Sequence, residues 1–256
     1  LKGGTIRLYM TAYPLTLRVV GPNANDAFAS WKRAYTMGLT MVTRHPTTDR
    51  HIPVMATHWS VQADGRTIYY KLDPDARWSD GEPITAADYV HTWHMIRSEH
   101  IVDPFFNQYA NDYYEEVVAV EPHVLKVVGK FESWRPLDMF DLWATPKHAV
   151  TLEEGFPERY NDAILPVQGP YVLTERVAGQ YVAFERLDDW WGTDKHYFQG
   201  MYNVDRVHLR VIDEQERAFD FFQKGEIDFY RVNTARLWAE EMDFEALQQG
   251  WAHRKR

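Results

Sequence analysis

Three groupings of side chains in this sequence could do chemistry. His91-x-x-His94, with His100 nearby, places two imidazoles three apart on a helical run, where they could share a metal ion. With no third ligand in register, the simpler reading is histidines on a solvent-facing helix. Glu115-Glu116 and Asp188-Asp189 are adjacent carboxylates. Glycoside cleavage needs two carboxylates facing each other across a sugar, and neighbours in a strand point to opposite faces. These pairs therefore read as solvated charge. The third grouping is aromatic: Trp31 with Tyr35, Phe105 and Phe106 with Tyr109, and Trp190 with Trp191. Any one ring can be core packing. Together they could line a cleft that stacks flat groups and offers a few hydroxyls, which suits peptides or sugars.

Elements must position these rings, and the chain is long enough to build them. Its 256 residues allow one large or two modest domains. Hydrophobic residues make up 45% and charged residues 25%, an ordinary globular balance. The net charge of −9 weighs against a general nucleic-acid binder, which needs a basic face, and the Arg254-Lys255-Arg256 end is too short to reverse it. The absence of cysteine removes disulfides, thiolate metal sites and cysteine nucleophiles. No apolar run approaches the ~18 residues of a membrane-spanning helix, and no signal peptide is visible at Leu1. Dinucleotide, P-loop, zincin, EF-hand and nucleophile-elbow motifs are also missing.

Patterning predicts a mixed fold. Thr5 to Met10 alternates as a strand, and Ala27 to Gly38 reads as a helix with Phe28, Trp31 and Tyr35 on one face. Thr57–Val61 and Thr67–Leu72 flank the turn Ala63-Asp64-Gly65. Thr85-Ala86-Ala87-Asp88 is a capping box that opens a helix ending near Ser98, with Tyr89, Trp93 and Ile96 on one face. Val117–Val120 with Val124–Val128, and Tyr171–Val177 with Tyr181–Glu185, are hairpins. Leu137 to Trp143 reads as an amphipathic helix, and Pro157 to Pro166 as irregular. Val207–Val211, a helix over Asp213 to Lys224 stopped by Gly225, and a strand through Ile227 and Phe229 form a strand-helix-strand unit. That unit favours an α/β architecture.

The segment Tyr69 to Trp93 reads YYKLDPDARWSDGEPITAADYVHTW. It resembles the signature of the family 5 extracellular solute-binding proteins, the oligopeptide- and dipeptide-binding components of ABC importers. Leu72, Ala76, Trp78, Ser79, Asp80, Gly81, Pro83, Thr85, Ala86 and Asp88 match that signature, and Tyr89 stands where valine is usual. Gly3-Gly4-Thr5-Ile6-Arg7 resembles the family's mature start. Ala56-Thr57-His58-Trp59 with Asp64-Gly65, Gly169-Pro170-Tyr171 with Gly179-Gln180-Tyr181 and Asp189-Trp190-Trp191, and Gly225-Glu226-Ile227-Asp228 resemble its later blocks in order. Gly21-Pro22-Asn23 and Met95-Ile96-Arg97-Ser98 are similar to the subgroup associated with microcin C and longer peptides.

The resemblance implies a binding protein and not an enzyme, with no cofactor and no metal. It implies an α/β periplasmic binding protein-like class II lobe, a mixed sheet flanked by helices, with an inserted α+β subdomain and the second lobe missing. On that reading residues 1–40 open the first lobe, 41–160 form the inserted subdomain and 161–256 continue the lobe; the chain is an N-terminal fragment. The implied partners are a peptide or other small solute and the transmembrane subunits of an ABC permease, for a monomer outside the cytoplasmic membrane, periplasmic or lipid-anchored, with its leader absent. The ligand-binding residues expected are Tyr13, Trp31, Tyr35, Phe105, Tyr109 and Gln168. Trp78, Asp80, Gly81 and Thr85 are expected to be structural, as a turn and a helix cap. An oligosaccharide-binding importer component and a carbohydrate-active enzyme are the alternatives.

Overall fold

The computed structural model describes residues 2–254; Leu1, Lys255 and Arg256 lie outside them. In chain order the elements are strand β1 (Thr5–Met10), helix α1 (Ala27–Lys32), strands β2 (Val42–Arg44), β3 (His51–Pro53), β4 (Ala56–Val61) and β5 (Thr67–Leu72), and helices α2 (Ala86–Arg97) and α3 (Pro104–Tyr113). Strands β6 (Tyr114–Glu121) and β7 (Val124–Gly129), the short helices α4 (Pro136–Met139) and α5 (Phe156–Arg159), and strands β8 (Tyr171–Val177), β9 (Tyr181–Arg186) and β10 (Arg206–Val211) follow. Helices α6 (Gln215–Gln223) and α7 (Glu245–Gln248) end the series.

The chain divides into two compact units. One comprises residues 1–13, 173–185 and 203–256, and the other residues 14–172 and 186–202.

The smaller unit is organised by a sheet of order β1-β10-β9-β8, with β1 parallel to β10 and β10 antiparallel to β9. Val207 and Leu209 face inward while Arg206, His208 and Arg210 face out, the alternation a one-sided sheet requires. Ile212, Ala218, Phe219, Ile227 and Tyr230 form its helix-side core. The predicted strand through Ile227 and Phe229 does not form. Asp228 N–H donates to the Arg7 carbonyl at 2.7 Å, but its carboxylate then accepts the Arg7 amide at 2.6 Å and the Arg7 guanidinium. A side chain thus occupies the β1 edge where a ladder would continue, and Phe229 turns out to solvent.

The larger unit is built on an antiparallel sheet of order β4-β5-β7-β6 with α2 and α3 packed beside β6. Ile68, Tyr70 and Leu72 of β5, Leu125 and Val127 of β7, and Tyr89 and Ile96 of α2 are buried together. The capping box is present, with the Asp88 carboxylate accepting the Thr85 amide at 2.8 Å. The Trp78 to Gly81 run is the expected turn: Gly81 N–H donates to the Trp78 carbonyl at 2.9 Å, and Gly81 sits at φ 91°, a conformation open to glycine. Ser79 and Val167 exchange two hydrogen bonds that fasten this turn to the segment before β8.

Two helices differ from expectation. The run from Ala27 is α-helical only to Lys32 and then widens into a π-helical turn over Arg33–Met37. Gly169 explains the need for room there: its amide donates to the Thr36 carbonyl at 2.7 Å, and an added Cβ would lie 2.7 Å from the Tyr35 carbonyl. The Leu137 to Trp143 run gives a single turn, α4, and then irregular backbone. Its polar groups are used elsewhere, since the Tyr114 hydroxyl donates to the Asp141 carbonyl at 2.6 Å and the Asp141 carboxylate accepts the Met41 amide at 3.1 Å. Pro157 to Pro166 is irregular after the last residues of α5.

Candidate functional site

A partly exposed aromatic strip stands out in the larger unit. Asp103 caps α3 by accepting the Phe106 amide at 3.1 Å, and Pro104 starts the helix with its φ already set. Phe105, Tyr109 and Tyr113 then recur every fourth residue and share one helical face. Phe105 stacks on Tyr109 with ring centroids 6.4 Å apart, Tyr109 meets Tyr113 at a tilt with centroids 4.6 Å apart, and Tyr113 meets Phe131 edge-on at 5.5 Å. Phe131 in turn contacts buried Phe140 at 5.4 Å, which anchors the strip in the core. Phe105 is 71% exposed and Trp134 83%. The Arg135 guanidinium lies 4.1 Å over the Trp134 ring. Phe105, Phe131 and Trp134 are exposed rings, costly to hydrate, while Tyr109 and Tyr113 between them are half-buried against the core.

Behind the strip runs a polar relay. The Tyr109 hydroxyl lies 3.4 Å from that of Tyr114, which donates to the Asp141 carbonyl. Burial holds both phenols above their ordinary range and protonated. Burial also pushes the Asp141 carboxyl up to about 7. Ionising Asp141 therefore opposes folding: its folded form keeps a proton that the unfolded form releases near pH 4, so stability falls as pH rises from about 4 to 7. Asp141→Asn removes that loss. Urea unfolding should show the variant gaining about 1–3 kcal/mol over the parent at pH 8, after discounting for partial exposure, and the gap should shrink towards zero near pH 4. A gap independent of pH would mean that Asp141 is ionised in the fold.

The expected ligand residues fall into different settings. Phe105 and Tyr109 belong to the strip. Trp31 and Tyr35 stack on each other at 6.0 Å with rings 2° from parallel, at the junction of α1 and the π-helical turn, and Tyr35 meets Tyr171 edge-on. Tyr13 is half-buried and belongs to the other unit. Gln168 differs from expectation. It is 0% exposed, its side-chain amide donates to the Met37 carbonyl at 2.5 Å, and its backbone carbonyl accepts the indole N–H groups of Trp190 and Trp191 at 2.9 and 3.0 Å. That side chain has no free surface for a solute; it braces the turn that carries Trp31 and Tyr35. The same bonds make Trp190 and Trp191 packing residues.

Sequence reading missed Tyr113, Phe131 and Trp134. The four-residue spacing from Phe105 carries a signal for Tyr113. Phe131 and Trp134 lie in a loop, where no periodicity exists to mark them.

The other chemical groupings disperse. His91 is partly buried, with its ring pulled down in basicity by that burial, while His94 is exposed beside Trp93. No group of three or more His, Asp or Glu side chains is placed to hold a metal ion among the described residues. Glu115 pairs with Arg66, and Glu116 with Lys126 at 2.6 Å.

Comparison with known proteins completes the picture. Residues 50–254 match the family described as bacterial extracellular solute-binding proteins, family 5 middle. A probable peptide-binding protein YejA of Agrobacterium fabrum is 27% identical over 97% of this chain and 41% of its own length. A peptidoglycan-binding protein YepA of the same organism is 27% identical over 72% of the chain and 31% of its own length. The oligopeptide-binding protein AppA of Bacillus subtilis, solved with a nonapeptide, superposes with a TM-score of 0.74 at 19% identity, covering 94% of this chain and 46% of AppA. The chain therefore has the mixed α/β substrate-binding fold and spans less than half the length of these relatives. It belongs to the family 5 bacterial extracellular solute-binding proteins.

Proposed function

We propose that this chain forms part of the substrate-binding component of an ABC importer, one that captures peptides or peptide-like solutes outside the cytoplasmic membrane and delivers them to a permease. The observation that carries the reading is the aromatic strip from Phe105 to Phe131, flanked by Trp134 and Arg135, on a family 5 fold. In this proposal Phe105, Tyr109 and Trp134 stack against side chains of an extended solute. Trp31, Tyr35 and Tyr13 supply further rings and hydroxyls. Residues 1–40 and 161–256 belong to one lobe and 41–160 to a subdomain inserted in it. The solute's backbone is held by hydrogen bonds, which gives tolerance of sequence. Closure on an opposing lobe follows from contacts made to both jaws at once. The protein works as a monomer at the permease, periplasmic or lipid-anchored.

A micromolar binder needs about −8 kcal/mol in all, and one jaw provides part of it. Isothermal titration against a peptide library should give micromolar or tighter binding for the full-length gene product and weak or no binding for residues 1–256 alone. Phe105→Ala and Trp134→Ala in the full-length protein should each weaken binding about 10-fold, the effect of removing one stacked aromatic contact. Equal affinity for the short and long proteins would overturn the shared cleft. Unchanged affinity in both alanine variants would overturn the strip as the contact surface.

A further inference from the structure

The larger unit contains a small cavity of about 50 Å³ beside α1, lined by Arg18, Lys32, Thr36 and Trp78 among apolar side chains. Two of its lining residues are cations and none is acidic. Arg18 gives Nη1 to the Val20 carbonyl at 2.7 Å and Nη2 to the Pro22 carbonyl at 2.8 Å. Lys32 Nζ donates to the Leu17 carbonyl. These are neutral acceptors and leave the charge uncompensated. The carboxylates that act on Arg18 are Asp103 and Glu158. Asp103 is occupied by the Gly21 and Phe106 amides, Glu158 is exposed, and neither lines the cavity.

The unsatisfied polar atoms of the lining are also of one kind. Arg18 Nε and Trp78 Nε1 are buried N–H groups with no acceptor. A buried charge or donor without a partner is costly, and proteins meet that cost with a counter-charge or an acceptor. Water offers as many donors as acceptors, so it matches two unpartnered donors beside two cations less well than an anion does. A small anion matches both the charge and the hydrogen-bond polarity. Burial and the nearby Arg18 charge draw the Lys32 amine down to about 8, which marks the same missing negative partner.

We propose that this cavity is a binding site for one small monovalent inorganic anion of chloride or bromide size, held by Arg18, Lys32 and Trp78. The site ties the Leu17–Pro22 segment to α1 and so sets the platform for Trp31 and Tyr35. It is independent of the solute-binding reading.

Thermal unfolding of the full chain in sodium chloride, sodium bromide and sodium gluconate at equal ionic strength tests it. Halide at several times its dissociation constant should raise Tm by about 2–4 °C over gluconate. Lys32→Met and Arg18→Gln should each abolish that difference. Crystals grown in bromide should show one anomalous peak in the cavity. Equal Tm in halide and gluconate overturns the proposal. So does a halide effect that survives in Lys32→Met, which is a general salt effect, or a bromide crystal with an empty cavity. Should Arg18→Gln fail to fold, Lys32→Met and the bromide crystal decide the matter.

Discussion

Replacing Asp88 with alanine is expected to lower the unfolding free energy by about 2–4 kcal/mol, because it strips a buried carboxylate from three part-buried donors. Asp88 is 4% exposed. One carboxylate oxygen accepts the Thr85 amide at 2.8 Å and the Thr85 hydroxyl at 3.1 Å; the other accepts the Lys147 amide at 3.0 Å. The Asp88 carbonyl also takes the Thr145 amide at 3.3 Å. One residue therefore caps α2, places a negative charge at its positive end, and ties that end to the segment following Trp143. Alanine leaves the part-buried Thr85 and Lys147 amides without these acceptors, and each then carries part of its desolvation cost. Asp88→Asn keeps one acceptor but turns an NH2 group on an N–H, so it should cost about 1–3 kcal/mol. Thr85→Ala, which touches the cap alone, should cost about 1 kcal/mol. Chemical denaturation of the three variants gives the ranking. An alanine loss no larger than that of Thr85→Ala would show that the tie to Lys147 contributes nothing, and the asparagine variant still reads the cap if alanine does not fold.

This cluster also marks what the sequence makes legible. Local rules act within four residues, so the capping box, the Asp64-Gly65 hairpin and the strands β1 and β5 could be read directly. What Asp88 does beyond the cap could not, since Lys147 lies 59 positions away. The misread elements share that cause. Arg7 and Asp228, 221 positions apart, replace a strand with a side-chain clamp. The Tyr114 hydroxyl donates to the Asp141 backbone carbonyl and the Met41 amide to its carboxylate, where the local pattern predicts a helix. Gly169 packs against the end of α1 and accompanies a π-helical turn that no local pattern encodes. The site divides the same way. Phe105 and Tyr109 were readable from helical spacing, whereas Phe131 joins them through a loop. Gln168 attracted a ligand role because it precedes a recognisable Gly-Pro-Tyr turn, yet its amide serves carbonyls 129 and 131 residues earlier.

A second long-range clasp should prove nearly as costly to remove. Asp73, buried at the end of β5, accepts Lys195 Nζ at 2.8 Å, the Tyr197 hydroxyl at 3.1 Å and the Asp75 amide at 3.0 Å. Lys195 also reaches exposed Asp75 at 2.8 Å. Burial alone would lower the Lys195 ammonium, but its hydrogen bonds to Asp73 and Asp75 outweigh that and raise it. The two contacts differ in worth. The Asp75 pair faces water and contributes at most about 1 kcal/mol. The Asp73 carboxylate has left water and depends on its donors, so Asp73→Ala should cost about 2–4 kcal/mol: the Tyr197 phenol and the Asp75 amide lose their acceptor, and Lys195 keeps only the exposed Asp75. Lys195→Met should cost about 2–3 kcal/mol, since Tyr197 and the Asp75 amide still serve the carboxylate. If the interaction is direct, the double variant loses less than the sum of the singles, with a coupling of about 1–3 kcal/mol. Additive losses in urea unfolding would mean that the two residues act separately. The coupling should also resist salt, because the partner it desolvates is screened far less than a surface pair such as Arg7 and Asp228. A coupling that collapses in molar salt would place the Asp73 carboxylate in contact with water, and the packing of Phe198 on Trp190 would then carry more of the segment from Asp194 to Phe198.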